Sequence, residues 1–170
     1  VGLPDLRSSL IFSPNDQFLN LFARLQHVFP LMPLAGAQAR FQPVWVVDVA
    51  CAVVRSLAMP IRSDAVGYPV RTVQVCGPDV FTLKELVQLS ARVSGVCGGR
   101  GRPVIALPMW MGRLQALVME WAPGGPLMSR DNLDSMRVDN VATPGAPGLE
   151  VLGITPSSVH AIAPLYLKRS

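Results

Sequence analysis

The chain has 170 residues, 50% of them hydrophobic, with a mean hydropathy of +0.37, a net charge of +4 and a pI near 9.4. That is material for one domain, or one large piece of a domain, and it excludes a largely disordered polymer. No uninterrupted apolar run reaches the ~18 residues of a membrane span. The positive charge comes from scattered arginines rather than a basic run interleaved with aromatics, which gives no support to a nucleic-acid surface.

Taken in chain order, Leu6 to Phe12 reads as a short strand and Ser13-Pro14-Asn15-Asp16 as a turn. Gln17 to Phe29 reads as an amphipathic helix, with Phe18, Leu21, Phe22, Leu25, Val28 and Phe29 on one stripe and Asp16 or Asn15 as its cap. His27 falls on the polar side of that stripe. With no partner base or nucleophile in view, it reads as an exposed histidine. Pro30 to Ala39, with two prolines, reads as a loop.

The stretch from Arg40 to Leu57 organises the rest. Val44 to Val47 is β-branched and aromatic, as a strand prefers. Asp48 then supplies a carboxylate where the chain turns helical, well placed to cap the helix that follows. That helix, Val49 to Arg55, is apolar almost all round and is expected to be covered on most sides. Met59 to Arg71 reads as a long connection.

Thr72 to Cys76 is a second strand, stopped at Gly77-Pro78. Thr82 and Glu85 make a capping box that opens a helix running to Ser94, with Gly95 as its left-handed cap. The basic, glycine-rich Gly95 to Arg102 invites a phosphate-loop reading. A phosphate cradle, however, needs glycines between a strand and a helix N-terminus. Here they lie between a helix and the strand Pro103 to Leu107, so the segment reads as a connection.

Trp110 to Trp121 and a short run from Ser129 to Arg137 read as helices, and Val138 to Gly148 as loop. Leu149 to Gly153 reads as a helical turn ending at glycine. Thr155-Pro156 is expected to open a last helix, Ser157 to Leu167, disturbed at Pro164. The alternation of strands and helices predicts an α/β fold with parallel strands. Cys51, Cys76 and Cys97 are odd in number and far apart, and the histidines are only His27 and His160, so neither a disulfide framework nor a zinc site is expected.

The residues also resemble a known family. LRSSLIFSPND is similar to the R-P-S-x-I-F-G-P-x-D turn of extended short-chain dehydrogenases/reductases. FQPVWVVDVACAVVRSL is similar to their V-x-V-x-D-V-A strand and helix, and the likeness continues in VCGPDVFTLKELVQL and RVDNVATPGAPGLEVLGITPSSVHAIAPLYL. The pattern most resembles the atypical, NAD(P)-binding branch that includes an accessory subunit of respiratory complex I and its bacterial relatives. This implies the C-terminal part of a Rossmann-like fold: the last parallel strands plus a small substrate-side lobe. The glycine-rich turn that holds the pyrophosphate in such folds is not among these residues. Nor is a Tyr-x-x-x-Lys pair. With no initiator methionine, residues 1–170 are expected to be one partial domain of a longer product.

The resemblance further implies a cofactor, NADP or NAD, held by the parent protein rather than by these residues alone. Ser8, Ser9, Leu10 and Ile11 match the segment that passes the nicotinamide ring. Ser8 stands where the family has proline and Ser13 where it has glycine. Phe12, Arg40 and Gln42 match the cleft-facing side of the lobe. An arginine there is suited to an anionic substrate group. The parent is expected to be oxidoreductase- or epimerase-like, with a non-catalytic, nucleotide-holding assembly subunit as the alternative. Expected partners are the N-terminal half of the fold and a second copy or a protein complex, with no nucleic acid. The expected location is cytoplasmic or at the periphery of the inner membrane.

Overall fold

The computed structural model describes residues 5–16, 18–58, 72–108, 111 and 139–167. The expected connection at 59–71 and the expected helices at 110–121 and 129–137 lie outside them.

The predicted first strand is split. Its first part, β1 (Asp5–Ser8), pairs in parallel with a strand at Thr72–Val75; its second part, β2 (Ile11–Phe12), pairs in parallel with one at Val44–Trp45. The change of partner falls at Ser9 and Leu10. There the ladders continue through Ser9 N–H to the Val75 carbonyl and Val44 N–H to the Leu10 carbonyl. The strands at Leu6, Val44 and Thr72 therefore do run parallel, as the alternating pattern requires.

Helix α1 (Leu19–Val28) follows the turn. The Asp16 carboxylate accepts the N–H groups of Leu19 and Asn20 and so serves the open first turn. The buried stripe is Leu19, Phe22, Ala23 and Gln26, and the predicted Val28 and Phe29 are exposed. Gln26 replaces them as the inward residue. It is fully buried and satisfied: its amide donates to the Val87 carbonyl and Ser90 Oγ and accepts the Arg102 N–H.

The predicted loop after α1 contains a strand, β3 (Met32–Ala35), paired in parallel with Val104–Leu107. Pro33 sits in it, which a strand with one partner among the described residues tolerates. β4 (Arg40–Phe41) pairs antiparallel with Phe81–Thr82. β5 (Val44–Trp45) runs straight into α2 (Val46–Ala58), so the predicted strand is shorter and the helix longer. Then come β6 (Thr72–Val75), β7 (Phe81–Thr82), α3 (Leu83–Ser94), β8 (Val104–Leu107) and α4 (Val159–Tyr166), with single 3-10 turns at Val96–Gly99 and Leu149–Leu152. The capping box at Thr82 and Glu85 and the left-handed Gly95 are as expected. The N-cap of α4 is Ser158, not Thr155, because the Ser158 hydroxyl is the one that accepts the helical N–H of His160.

Two cores result. The larger joins α1, α3, α4, β3, β4 and β7 around Phe12, Phe22, Leu34 and Leu86. The smaller gathers Val44, Ala52, Val73, Val75, Leu149, Leu152 and Ile154, with Leu6 and Val49 against it. Helix α2 belongs to the second, and it is turned contrary to expectation. Its buried residues are Asp48, Ala52 and Ser56, while Val47, Val54 and Leu57 are at least half exposed. Polar bonds hold it this way. The Asp48 carboxylate accepts from the Ser157 N–H at 2.7 Å, and Arg55 donates to the carbonyl oxygens of Leu152 and Gly153. Asp48 therefore caps no helix of its own; it receives the chain entering α4. Among the described residues no helix is long and apolar enough to cross a membrane.

Candidate functional site

In a doubly wound sheet the cleft lies beyond the carboxyl ends of the parallel strands. Here those ends are Ser8 and Val75, followed by the turn at Ser9 and Leu10. The sequence-predicted residues gather around this turn, with different fates. Ser8 is exposed at the end of β1, Ile11 is partly exposed on β2, and Leu10 is half-buried with its carbonyl committed to Val44 N–H. Ser9 is buried. Its hydroxyl donates to the Asn140 carbonyl at 2.6 Å and accepts the Gln42 N–H at 3.2 Å.

Gln42 is the centre of the same knot. Its side-chain amide donates to the Gly77 carbonyl at 2.7 Å, and its side-chain oxygen accepts the Ala142 N–H at 2.8 Å. Both ends of the amide are thus spent on tying β4, the Gly77 turn and the 139–142 segment together. Arg40 is exposed; its backbone N–H bonds to the Asp139 carboxylate and its carbonyl accepts Asn140 N–H. Phe12 is 1% exposed and packs on Trp45 at 5.3 Å between centroids. It is core, with no surface to offer a ligand.

A cavity of about 450 Å³ is lined by Pro14, Trp45, Ile162, Leu165 and Tyr166. Trp45 and Tyr166 stack with ring centroids 6.3 Å apart and planes 20° from parallel. The Tyr166 hydroxyl donates to Asp16 Oδ2 at 3.2 Å, and the same carboxylate serves Ser13 N–H and the start of α1. Burial first, and then the negative charge of Asp16 and the bond to it, push the Tyr166 phenol far above its ordinary range. It stays protonated, a donor and not a base. Burial likewise raises the Cys76 thiol, only partly offset by the Ser9 N–H, so that sulfur next to the turn stays a thiol. This cavity offers an aromatic, apolar wall for a planar or aliphatic group. Among the described residues no cluster of metal-binding side chains occurs.

Neither Trp45 nor Tyr166 stood out in the sequence as a site residue. They are 121 positions apart, and only the topology brings them together.

No family model matches the chain. Among curated proteins it is 32% identical over 172 residues to the mouse NADH dehydrogenase (ubiquinone) 1 alpha subcomplex subunit 9, mitochondrial, an alignment that takes in 96% of the chain and 41% of the relative. The chain is a relative of that subunit. Among solved structures it superposes on a dTDP-glucose 4,6-dehydratase from Streptomyces venezuelae with NAD and TYD bound, at TM-score 0.58 and 15% identity, over 96% of the chain and 42% of that protein. A UDP-glucose 4-epimerase from Thermotoga maritima with UDP-glucose gives TM-score 0.52 and 14% identity over 96% and 44%. The fold of this subunit-9 relative is therefore that of the C-terminal part of a Rossmann-like, extended short-chain dehydrogenase/reductase. It spans about two fifths of the length of the proteins it matches.

Proposed function

We propose that the chain is the substrate-side part of an NAD(P)-holding protein that works as a structural subunit of a respiratory NADH:quinone oxidoreductase type of complex. The observation that carries this reading is the fate of the cleft's polar groups. Ser9 and Gln42 are consumed in the knot around Asn140, and Tyr166 is held protonated by burial and Asp16. What remains at the cleft is apolar surface and the strand end at Ser8. That suits a group to be held better than a bond to be broken, since proton transfer needs a residue poised near the working pH. The subunit-9 likeness supports the assembly role, and the neighbours that carry NAD support the cofactor.

In this reading these residues present only the nicotinamide-side turn, Ser8 to Ile11, while the pyrophosphate is gripped elsewhere in the fold. The protein sits at the inner membrane's periphery through partner subunits. The oxidoreductase or epimerase alternative draws on the neighbours' fold alone.

Titration of the full-length protein with NADPH and NADH, followed by nicotinamide fluorescence, tests the first claim. Tight binding without consumption of the cofactor over hours is the expected result. Turnover with any nucleotide sugar or carbonyl compound overturns it in favour of an enzyme. Co-migration with an NADH-oxidising complex on a native gel tests the second.

A further inference from the structure

Helix α4 carries two apolar stripes, and only one is spent on the core. Val159, Ala163 and, at the C-cap, Leu167 follow one another at helical spacing and are buried in the larger cluster. Ile162, Leu165 and Tyr166, at i, i+3 and i+4, share a second stripe. Leu165 is 69% exposed, and Ile162 and Tyr166 are half-buried. Together with Pro14 from the turn after β2 and Trp45 at the end of β5, this stripe walls the cavity of about 450 Å³. Small-molecule sites fall in the same size range, roughly 300–1,000 Å³, and are mostly apolar with a few polar groups.

The walls are fixed before anything binds. Trp45 rests on Phe12, a fully buried core residue, with ring centroids 5.3 Å apart. Tyr166 is held twice, by its stack on Trp45 and by its bond to Asp16 at 3.2 Å. Asp16 is pinned in turn by the N–H groups of Ser13, Leu19 and Asn20. The far end of α4 is tied by the Ser157 N–H to Asp48 and by the Ser158 hydroxyl to Asp79 at 2.8 Å. Filling a cavity whose walls are already ordered costs little conformational entropy.

The chemistry of the walls narrows the occupant. Aromatic side chains pack well against another ring, offset or edge to face. The Tyr166 hydroxyl has given its hydrogen to Asp16, so its oxygen meets a ligand as an acceptor. The Asp16 carboxylate behind it opposes a second negative charge. We infer that this cavity is a binding site for an uncharged aromatic small molecule with one hydroxyl or N–H donor, of the phenol or indole class. The ring lies against Trp45 and the α4 stripe, and the donor meets the Tyr166 oxygen. An aliphatic chain fills the same volume but brings no donor to that oxygen.

The probe is 1-naphthol, titrated into the full-length protein at pH 7 by isothermal calorimetry, with 1-methoxynaphthalene and 1-naphthoate as comparisons. A ligand of this size should bind with a Kd on the order of 0.1–1 mM. The methoxy compound, which has no donor, should bind about fivefold more weakly. The naphthoate anion should bind roughly tenfold more weakly or worse. Ile162→Trp fills the cavity from its own wall and should weaken naphthol binding about tenfold. Leu165→Glu removes apolar wall at an exposed helix position that glutamate suits, so the fold is spared, and it should weaken naphthol binding by about the same factor. That second variant decides the matter if the first fails to fold. Naphthol binding that survives Leu165→Glu overturns the inference. So does equal affinity for the methoxy compound or for naphthoate, and so does the absence of naphthol binding.

Discussion

The carboxylate of Asp48 on α2 accepts the backbone N–H of Ser157, 109 positions further along the chain, at 2.7 Å, and the Ser157 hydroxyl at 3.3 Å. Asp48 is 8% exposed, so the bond is sheltered from water. It fixes which face of α2 turns inward and where the chain enters α4. Replacement by alanine leaves a sheltered N–H without its acceptor and removes a charge-assisted bond. We expect Asp48→Ala to cost about 2 kcal/mol, read as a lower urea midpoint at unchanged slope. Asp48→Asn keeps one acceptor and should recover roughly half of that.

Gly77 and Pro43 define a second constraint. A Cβ on Gly77 would overlap the Pro43 carbonyl oxygen, which is backbone and cannot swing aside. The close approach is what lets the Gly77 carbonyl meet the Gln42 amide. Gly77→Ala should therefore cost roughly 3 kcal/mol or more and loosen the knot around Ser9. Gly145, at φ +80° with open space around it, is the control. There only the left-handed backbone is at stake, and alanine should cost about 1 kcal/mol. Thermal melts of the two variants separate steric from conformational cost.

These two positions also show what the sequence could tell. The elements it disclosed were those with a local signature: the Thr82–Glu85 box, the Gly95 cap, and the strands at Thr72 and Val104. It hid β3, because Pro33 and a short apolar run look like loop until β8 arrives to pair with them. The facing of α2 was illegible for a different reason. A helix apolar on all sides has no preferred face, and the two polar contacts that choose one come from residues a hundred positions away. The sequence drew attention to Ser8 to Ile11, and the structure puts there the change of partner from β6 to β5. The bonds that Ser9 and Gln42 make to the 140–142 segment were not legible, since a polar side chain near a cleft looks the same whether it meets a ligand or another stretch of the chain. Gln26 was missed on similar grounds, as glutamine on an apolar stripe gives no hint of three buried partners.

The capping box of α3 gives a pH-dependent prediction. The Glu85 carboxylate accepts the Thr82 N–H at 2.7 Å, and this bond, followed by the one from the Thr82 hydroxyl, lowers its pKa from the ordinary 4.5. A carboxylate whose pKa is lower in the folded state contributes above the unfolded value and loses that contribution as pH falls through the folded one. Stability should thus decline below pH 4.5, and Glu85→Gln should flatten that part of the profile. At pH 7, Thr82→Ala should cost about 1 kcal/mol. Guanidinium melts at several pH values give both numbers.

Tyr166 gives the opposite sign. Its phenol is pushed upward by burial, and further by Asp16, so the folded chain holds the proton more tightly than the unfolded chain, whose tyrosine titrates near 10. Below that value both states are protonated and the full contribution is present. As pH rises past the unfolded value, the unfolded chain loses its proton first and the fold loses stability. Wild-type protein should therefore destabilise progressively above pH 10, and Tyr166→Phe should remove much of that slope. At pH 7 the variant gives up one hydrogen bond to Asp16, a carboxylate that keeps its bonds from Ser13, Leu19 and Asn20. The cost there should be only about 1 kcal/mol. Absorbance at 295 nm adds an independent check, since the Tyr166 phenolate should appear only as the fold is lost. A phenolate that appears near pH 10 in folded wild-type protein but is missing from folded Tyr166→Phe, and so does not come from Tyr68, would refute the account of the cleft as a site without a base.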